Sequence, residues 1–274
     1  GDGPGVGTAI SCHPDIDMVS FTGSTRAGRA VSHSAAESIK RVTLELGGKS
    51  PNIIFEDVDL EATVARGVND CMENVGQSCN APTRMLVPSQ LYTEAVAYAV
   101  KAASAIAVGR ADQPGAHIGP LVSRLQYNKV QDLIQTGIEE GARLVVGGLG
   151  KPEGFETGHF TKPTVFADVD NQMTIAREEV FGPVLVMIPF DSEQQAIDLA
   201  NDTPYGLAAY VNSNNEALVD RVTSQLRAGM VRVNGASHLF SSPFGGYKQS
   251  GNGREWGAFG FDDYLEIKAI SGGG

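Results

Sequence analysis

Cys79 has the residue type and the setting that best suit covalent chemistry in this sequence. It follows Gly76, Gln77 and Ser78 in the segment NVGQSCN, with no partner at disulfide or metal-ligand spacing. An unperturbed thiol has a pKa of about 8.5, so a pKa lowered to ~7 would make half of it nucleophilic at neutral pH. A buried structural cysteine is the common alternative. That alternative suits Cys71, which falls on the apolar face of a predicted helix, better than Cys79.

Glu45, in the segment LELGGKSP, is the second candidate for chemistry. It interrupts an apolar stretch that predicts a strand, and two glycines follow its neighbour Leu46. A carboxylate at the end of a buried strand is costly unless it is solvated or used, and a raised pKa there would suit a general base. A glutamate that points outward from a half-exposed strand is an equally good interpretation of this segment alone.

Two further segments carry residue types that suit a nucleotide. In FTGSTRAG, Gly23 ends a predicted strand and Ser24 begins a predicted helix, a turn whose backbone N–H groups can bind phosphate. In EEVFGP, a carboxylate of Glu178 or Glu179 can accept both hydroxyls of a ribose. Both signals are weak alone, because the full G-x-G-x-x-G pattern is missing and because glycine turns and charged loops are common.

The distribution of the histidines argues against a metal centre. His13, His33, His117, His159 and His238 are scattered without ligand spacing, so no metal site is predicted. A cysteine–histidine hydrolase stays open as an alternative, because a histidine distant in sequence can lie beside the thiol in the fold.

Composition limits the partners and the compartment. The 274 residues carry a formal net charge of -11, which argues against nucleic acid or an anionic membrane as a partner. Three cysteines without a C-x-x-C pair favour a reducing compartment, and we expect a cytoplasmic protein. No apolar run approaches the ~18 residues of a membrane span, and no signal peptide is evident. The first residues, GDGPGVG, have the composition of a loop.

Strand and helix patterns alternate along the chain and predict an α/β fold with a mostly parallel sheet. The length suggests about two domains. Residues 59–75 have apolar side chains at the spacing of one helix face, with Asp59 as a suitable N-cap and Gly76 as a suitable end. Cys79 is therefore expected in the loop beyond that helix. A final apolar stretch, YLEIKAI, predicts a strand outside the repeating order.

Six segments, in order, resemble the aldehyde dehydrogenase superfamily. They are FTGSTRAGR, VTLELGGKSPNIIFEDVDLE, GQSC, EEVFGPVL, NDTPYGLAAYV and PFGGYKQSGNGREWG, and they run from about residue 19 to about residue 268. The resemblance implies oxidation of an aldehyde to a carboxylic acid with NAD or NADP, through a thiohemiacetal and a thioester. By this resemblance Cys79 is the nucleophile, Glu45 is the general base, and Glu255 relays protons to that base.

The resemblance also implies where the cofactor binds. The matching positions are Gly23 and Ser24 at the pyrophosphate, Leu46 and Gly47 beside the nicotinamide, and Glu179 with Phe181 at the nicotinamide ribose. Residues 1–47 are then a remnant of a Rossmann-type coenzyme domain, 48–249 an α/β catalytic domain, and 250–274 a return segment with an oligomerisation strand. That last strand implies a homodimer or a homotetramer.

Family members are nearly twice as long, so we expect this chain to lack the amino-terminal half and to turn over inefficiently alone. Two other interpretations stay open. One is a CoA-acylating relative, against which Glu45 argues, because CoA would replace the water that a base activates. The other is a non-catalytic fragment that assembles with partner subunits. The substrate implied is a small aldehyde, with GASHLFSSPF, including His238 and Phe240, at its entrance.

Overall fold

The computed structural model describes residues 1–272, which form two β-sheets with helices packed against them. The strands in chain order are β1 (Met18–Thr22), β2 (Arg41–Glu45), β3 (Pro51–Ile54), β4 (Arg84–Pro88), β5 (Arg143–Val146), β6 (Thr164–Ala167), β7 (Val184–Phe190), β8 (Ala208–Asn212), β9 (Met230–Val233) and β10 (Gly251–Asn252). The helices are α1 (Gly3–Cys12), α2 (Thr25–Ala36), α3 (Leu60–Met72), α4 (Tyr92–Ser104), α5 (Arg124–Glu139), α6 (Thr174–Arg177), α7 (Glu193–Asn201), α8 (Glu216–Gln225) and α9 (Gly257–Asp262). This is the α/β architecture that the sequence predicts.

The smaller sheet has the strand order β1-β2-β10. β1 and β2 are parallel, and β10 pairs with the other edge of β2 in the antiparallel direction. Glu45, the last residue of β2, pairs with Thr22 on one side and with Gly251 on the other. Because it has a neighbouring strand on both sides, this end of β2 is held rigidly.

The larger sheet has the strand order β5-β6-β7-β4-β3-β8-β9 and is parallel except for the edge strand β5. β3, β4, β6 and β8 are buried at every residue, as expected when helices cover both faces of a parallel sheet. The chain leaves the smaller sheet after Glu45 and returns to it at Gly251. The domain boundaries at 47/48 and 249/250 stay a prediction.

α3 follows the predicted pattern except at its end. The Asp59 carboxylate caps the helix by accepting a hydrogen bond from the Ala62 N–H at 3.0 Å, and Val68 and Cys71 are fully buried on its inner face. The helix ends at Met72 rather than at the predicted glycine. A short turn with a left-handed backbone at Asn74 and Val75 follows it and leads to the loop that carries Cys79, the candidate nucleophile.

Both ends of the chain differ from the sequence prediction. The first residues form α1 instead of a loop, with Pro4 in the first turn, where the N–H that proline lacks would be unpaired anyway. Residues 265–270 are exposed and form no strand with the described residues. The predicted strand does not form within residues 1–272, and its pairing with a second subunit stays a prediction. Within residues 1–272 no helix is both long and apolar enough to cross a membrane.

Candidate active site

Glu45 is a buried carboxyl group without a partner. It is only 4% exposed, and neither carboxylate oxygen has a hydrogen-bond partner among the described residues. Burial, and secondarily the negative charge of Glu255, raise the pKa of Glu45 to about 8, against a smaller opposite effect of Arg254. A carboxyl group with a pKa near neutrality is suited to take a proton from water and to release it again.

The segment after β9 closes over the Glu45 carboxylate. A methyl group added to Gly245 would stand 2.7 Å from Glu45 Oε1, so only glycine leaves room for the carboxylate there. A pair of hydrogen bonds fixes the backbone around this segment, because Phe244 and Glu255 each donate their N–H to the other's carbonyl at 2.7 Å. This pairing holds Glu255 where its charge acts on Glu45.

A strained turn presents Cys79. Asn74 and Val75 have φ angles of 50° and 60°, a left-handed conformation that is rare for a β-branched residue. The Asn74 side-chain amide closes the turn by donating to a main-chain carbonyl three residues on, at 3.0 Å. A methyl group on Gly76 would collide with the Gly182 carbonyl. Strain of this kind persists only where the surroundings hold it, and it is typical of functional sites.

The Cys79 thiol is half-buried and free. It packs, together with Phe244, against a small apolar cluster at the starts of β8 and β9. Burial, followed by the charges of Glu179 and Glu45, raises the pKa of Cys79 to about 11, while backbone N–H groups of Cys79 and Asn80 act in the opposite direction. In this state the thiol is protonated at neutral pH, so a nearby base or a bound cation has to activate it.

Two glycines, Gly47 and Gly48, connect Glu45 to the loop of Cys79. Glu179 Oε1 accepts a hydrogen bond from the Gly48 N–H at 3.1 Å, and a methyl group on Gly47 would collide with the same carboxylate. A methyl group on Gly48 would collide with the Cys79 carbonyl. The structure therefore brings Glu45, Glu179 and Cys79 around the LGG segment, where any larger residue would separate them.

The predicted phosphate turn lies beside this group. The Gly23 N–H donates to the Glu45 carbonyl at 3.0 Å, and Ser24 caps α2 by accepting from the Ala27 N–H at 3.3 Å. A methyl group on Gly28 would stand 2.7 Å from Leu46 Cδ2, so α2 packs closely on the residue that follows Glu45. The exposed N-terminus of α2 is a suitable binding place for a phosphate.

A cleft between α1 and α2 extends from this turn. It has a volume of about 500 Å³, and its walls include Pro4, Phe21 and Val31. A mostly apolar cleft beside a helix N-terminus suits a planar base joined to a phosphate. Sequence reasoning missed Pro4, because it treated this glycine-rich segment as a loop.

Phe181 lies in the loop that follows Glu179. It has a φ of 55°, and its carbonyl accepts a hydrogen bond from Gln126 Nε2 at 2.8 Å. The same amide nitrogen donates to the Val180 carbonyl at 2.9 Å. α5 thus supports the loop that follows Glu179, whose carboxylate contacts the LGG segment.

Ser250 positions the site and was not predicted from the sequence. Its hydroxyl donates to the Gly47 carbonyl at 2.7 Å and accepts from the Gly206 N–H at 2.9 Å. Its carbonyl accepts from the Leu46 N–H at 2.9 Å. A serine in a glycine-rich segment gives no signal of this role, because its partners are distant in sequence.

Arg84 holds the residue that follows the LGG segment, Lys49. It is fully buried, and its Nε donates to the Lys49 carbonyl at 2.9 Å. Among the described residues, no group of three or more histidine, cysteine, aspartate or glutamate side chains is arranged to hold a metal ion. The described residues bring together one thiol, one buried carboxyl group and a cleft beside a helix N-terminus.

Comparisons with known proteins agree on one family. A family model described as the aldehyde dehydrogenase family matches residues 1–270. A 3-succinoylsemialdehyde-pyridine dehydrogenase from a Pseudomonas species is 56% identical over 272 residues, which is 99% of this chain and 57% of the relative. A putative aldehyde dehydrogenase from Staphylococcus aureus is 47% identical over the same shares of the two chains.

Solved structures give the same result. Aldehyde dehydrogenase C from Pseudomonas syringae, a cysteine-to-alanine mutant in complex with NAD+ and octanal, has a TM-score of 0.97 and 51% identity, covering 98% of this chain and 56% of that one. The enzyme from Bacillus cereus in complex with NAD+ has a TM-score of 0.95 and 46% identity, covering 98% and 55%. The chain thus spans little more than half the length of the proteins it matches.

Proposed function

Because this chain belongs to the aldehyde dehydrogenase family, we propose that it supplies the thiol and the base for oxidation of an aldehyde to a carboxylic acid with NAD(P)+. The observation that supports this most is the pairing of Cys79 with Glu45. The carboxyl group is buried, unpartnered and near enough to raise the pKa of the thiol. A lone structural cysteine would not need such a neighbour.

The proposed reaction has two halves. In the first, the Cys79 sulfur attacks the aldehyde carbon and gives a thiohemiacetal, whose oxygen is stabilised by backbone N–H groups of the Cys79 loop. The thiol proton ends on this oxygen, and a bound NAD(P)+ would supply the hydride acceptor, so that loss of a hydride from the carbon and of that proton to water would leave a thioester on Cys79. In the second half, Glu45 takes a proton from water, the water oxygen attacks the thioester, and the acid leaves as the thiol is restored.

The residues toward the cofactor fit a dinucleotide. Ser24 at the start of α2 offers an anion site, the α1–α2 cleft suits a planar base, and the Glu179 carboxylate accepts hydroxyl donors. Gly47 belongs to the proposed cofactor site because a side chain there would displace Glu179. The NAD+ complexes of similar enzymes favour NAD as the cofactor. Gly23, Leu46 and Phe181 belong to the proposed cofactor site as backbone and packing positions.

The same proposal covers the compartment, the oligomeric state and the fate of the thioester. The three cysteines Cys12, Cys71 and Cys79 are free, which favours a reducing compartment such as the cytoplasm. The exposed segment 265–270 is the proposed strand for a homodimer or homotetramer. The buried base at Glu45 favours hydrolysis of the thioester over transfer to CoA.

A burst experiment tests this function, and it uses the protein at its full natural length, because this chain is expected to turn over inefficiently alone. With a small aldehyde and NAD+, we expect a burst of NADH equal to the number of sites, followed by steady turnover. Cys79→Ala should abolish both, and Glu45→Gln should keep the burst but lose the turnover. Cys12→Ala, which removes an exposed thiol, is the matched control and should behave as the parent. Turnover by Cys79→Ala would refute the proposed function.

A further inference from the structure

A polar cavity opens beside the nucleophile loop. It has a volume of about 210 Å³, and Ser78 and Asn80, the two neighbours of Cys79, lie in its wall. Tyr210 of β8 and Arg232 of β9 form the opposite side. Cys79 itself does not line the cavity, so a substrate whose aldehyde carbon reached Cys79 would have to extend past Ser78 or Asn80 to place its tail there.

Arg232 is placed to meet such a substrate. It is the register partner of Tyr210, so the two side chains lie on the same face of the sheet, and the guanidinium carbon is 5.7 Å from the centre of the Tyr210 ring. The Tyr210 hydroxyl donates to the Asn80 carbonyl at 2.8 Å. One tyrosine side chain therefore separates the guanidinium from the loop of Cys79.

Arg232 lies near Asp70 without forming an ion pair with it: burial raises the pKa of that carboxyl group, and the charges of Arg66 and Arg232 oppose the rise. The ion pairs that form within residues 1–272 do not include Arg232. It is half-buried in the cavity wall. A guanidinium offers five N–H donors in a planar fork that matches a carboxylate or a carbonyl oxygen. A half-buried guanidinium that forms no ion pair can bind an acceptor group of a ligand.

A second guanidinium reinforces the positive side of the cavity. Arg66 Nη2 donates to Asn212 Oδ1 at 2.8 Å, which leaves its other donors available, and its side chain is half-buried. The two acidic residues of the cavity, Asp70 and Glu73, are exposed at the rim. The two arginines therefore offset the two acidic residues of the cavity, and the donors of Arg232 that form no ion pair are what would hold an acceptor group.

We infer that this cavity binds the tail of the substrate and selects an aldehyde whose tail carries acceptor oxygens, a carboxylate above all, with Arg232 as the main ligand. The inference rests on the proposed function for the aldehyde end of the substrate. It adds a specificity-determining residue that acts on the tail alone. Arg232 is then a determinant of substrate choice and not of the chemical step.

The test compares matched aldehydes on the native protein and its variants. We expect a higher kcat/KM for succinic, glutaric or adipic semialdehyde than for the alkanal of equal chain length, and a lower one for an amino-aldehyde. Arg232→Gln should lower kcat/KM for the semialdehydes at least 30-fold and change the alkanals less than twofold. Arg232→Lys should restore part of the loss. Arg124→Gln, which removes an exposed arginine on α5, should change neither.

Equal losses for both substrate series in Arg232→Gln, or a parent protein that prefers alkanals, would overturn the inference. A separate measurement keeps it independent of turnover. Calorimetric titration with glutarate should show binding to the parent and to Cys79→Ala, and at least 10-fold weaker binding to Arg232→Gln. If glutarate binds in this pattern while no aldehyde is oxidised, the proposed function fails and the tail site stands. If glutarate does not bind the parent, the tail site is wrong.

Discussion

Cys71 and Cys79 are eight positions apart, and the structure gives them opposite surroundings. Cys71 lies on the inner face of α3, fully buried, and its thiol contacts the Val184 carbonyl at 3.7 Å. Cys79 lies beyond the helix in a half-buried loop with two carboxylates as neighbours. Burial raises the pKa of both thiols, to about 12 and about 11. Reactivity therefore depends less on the resting pKa than on access and on a neighbouring base.

Replacing each of these two cysteines by alanine should have the largest effects: on kcat for Cys79 and on the free energy of unfolding for Cys71. Cys79→Ala removes the nucleophile, so we expect kcat to fall by about 10⁴-fold or more, with little change in the free energy of unfolding. Cys71→Ala leaves a small cavity in the core, so we expect a loss of about 1–2 kcal/mol of stability with most activity kept. Stopped-flow kinetics and urea unfolding measure the two quantities. The reverse pattern would contradict the assignment.

Alkylation should rank the three thiols by access and environment. With iodoacetamide at pH 8, we expect exposed Cys12 to react first, Cys79 more slowly and Cys71 slowest, with at least ~100-fold between the last two, because Cys71 has no exposure. Adding NAD+ should accelerate only Cys79, since a cation near its sulfur favours the thiolate. Peptide mass spectrometry gives each rate. A Cys79 rate that NAD+ leaves unchanged would count against a nicotinamide beside the sulfur.

Gly47 tests the contact between the LGG segment and Glu179. The methyl group of Gly47→Ala would collide with the Glu179 carboxylate, so we expect NAD+ to bind roughly 10- to 30-fold more weakly, about 1.4–2 kcal/mol. Gly119→Ala is the matched control, because a methyl group there meets no atom within 4 Å. Fluorescence titration with NAD+ provides the dissociation constants. Equal affinities of the two variants for NAD+ would show that Glu179 does not take part in cofactor binding.

The pH dependence of stability tests the environment of Glu45. Its folded pKa of about 8 lies above the unfolded value of 4.5, so the folded state binds the proton more tightly. Stability from this group is full below pH 4.5 and declines as the pH rises toward 8, by up to about 1.4 kcal/mol per pH unit. Glu45→Gln should remove this decline, as read by urea unfolding at several pH values. If stability declined with pH identically in parent and variant, a group other than Glu45 would be the one that titrates.

The predictable parts of the molecule are those that depend on local patterns. The apolar spacing from Val64 to Cys71 and the Asp59 cap predict α3 because the same residues that form the helix also face the core. α1 was missed because its glycines are poor helix formers and only packing against α2 stabilises it. Segment 265–270 was expected as a strand, yet strand formation depends on an edge that this chain does not place beside it.

The candidate site divides in the same way. Residue type and spacing identified Cys79 and Glu45 as candidates, since a polar loop cysteine and a strand-end glutamate are unusual in themselves. Ser250 and Arg232 carried no such signal. Their roles arise from contacts with the Gly47 carbonyl and with Tyr210, which only the tertiary fold brings together.

Trapping the acyl intermediate tests the central claim most directly. Glu45→Gln protein, mixed with an aldehyde and NAD+ and quenched within a second, should carry one acyl group, and digestion should place that group on Cys79. The parent should show the same adduct only transiently, because Glu45 activates the water that removes it. An acyl group on another residue, or none in the variant while NADH is released, would contradict the pairing of this thiol with this carboxyl group.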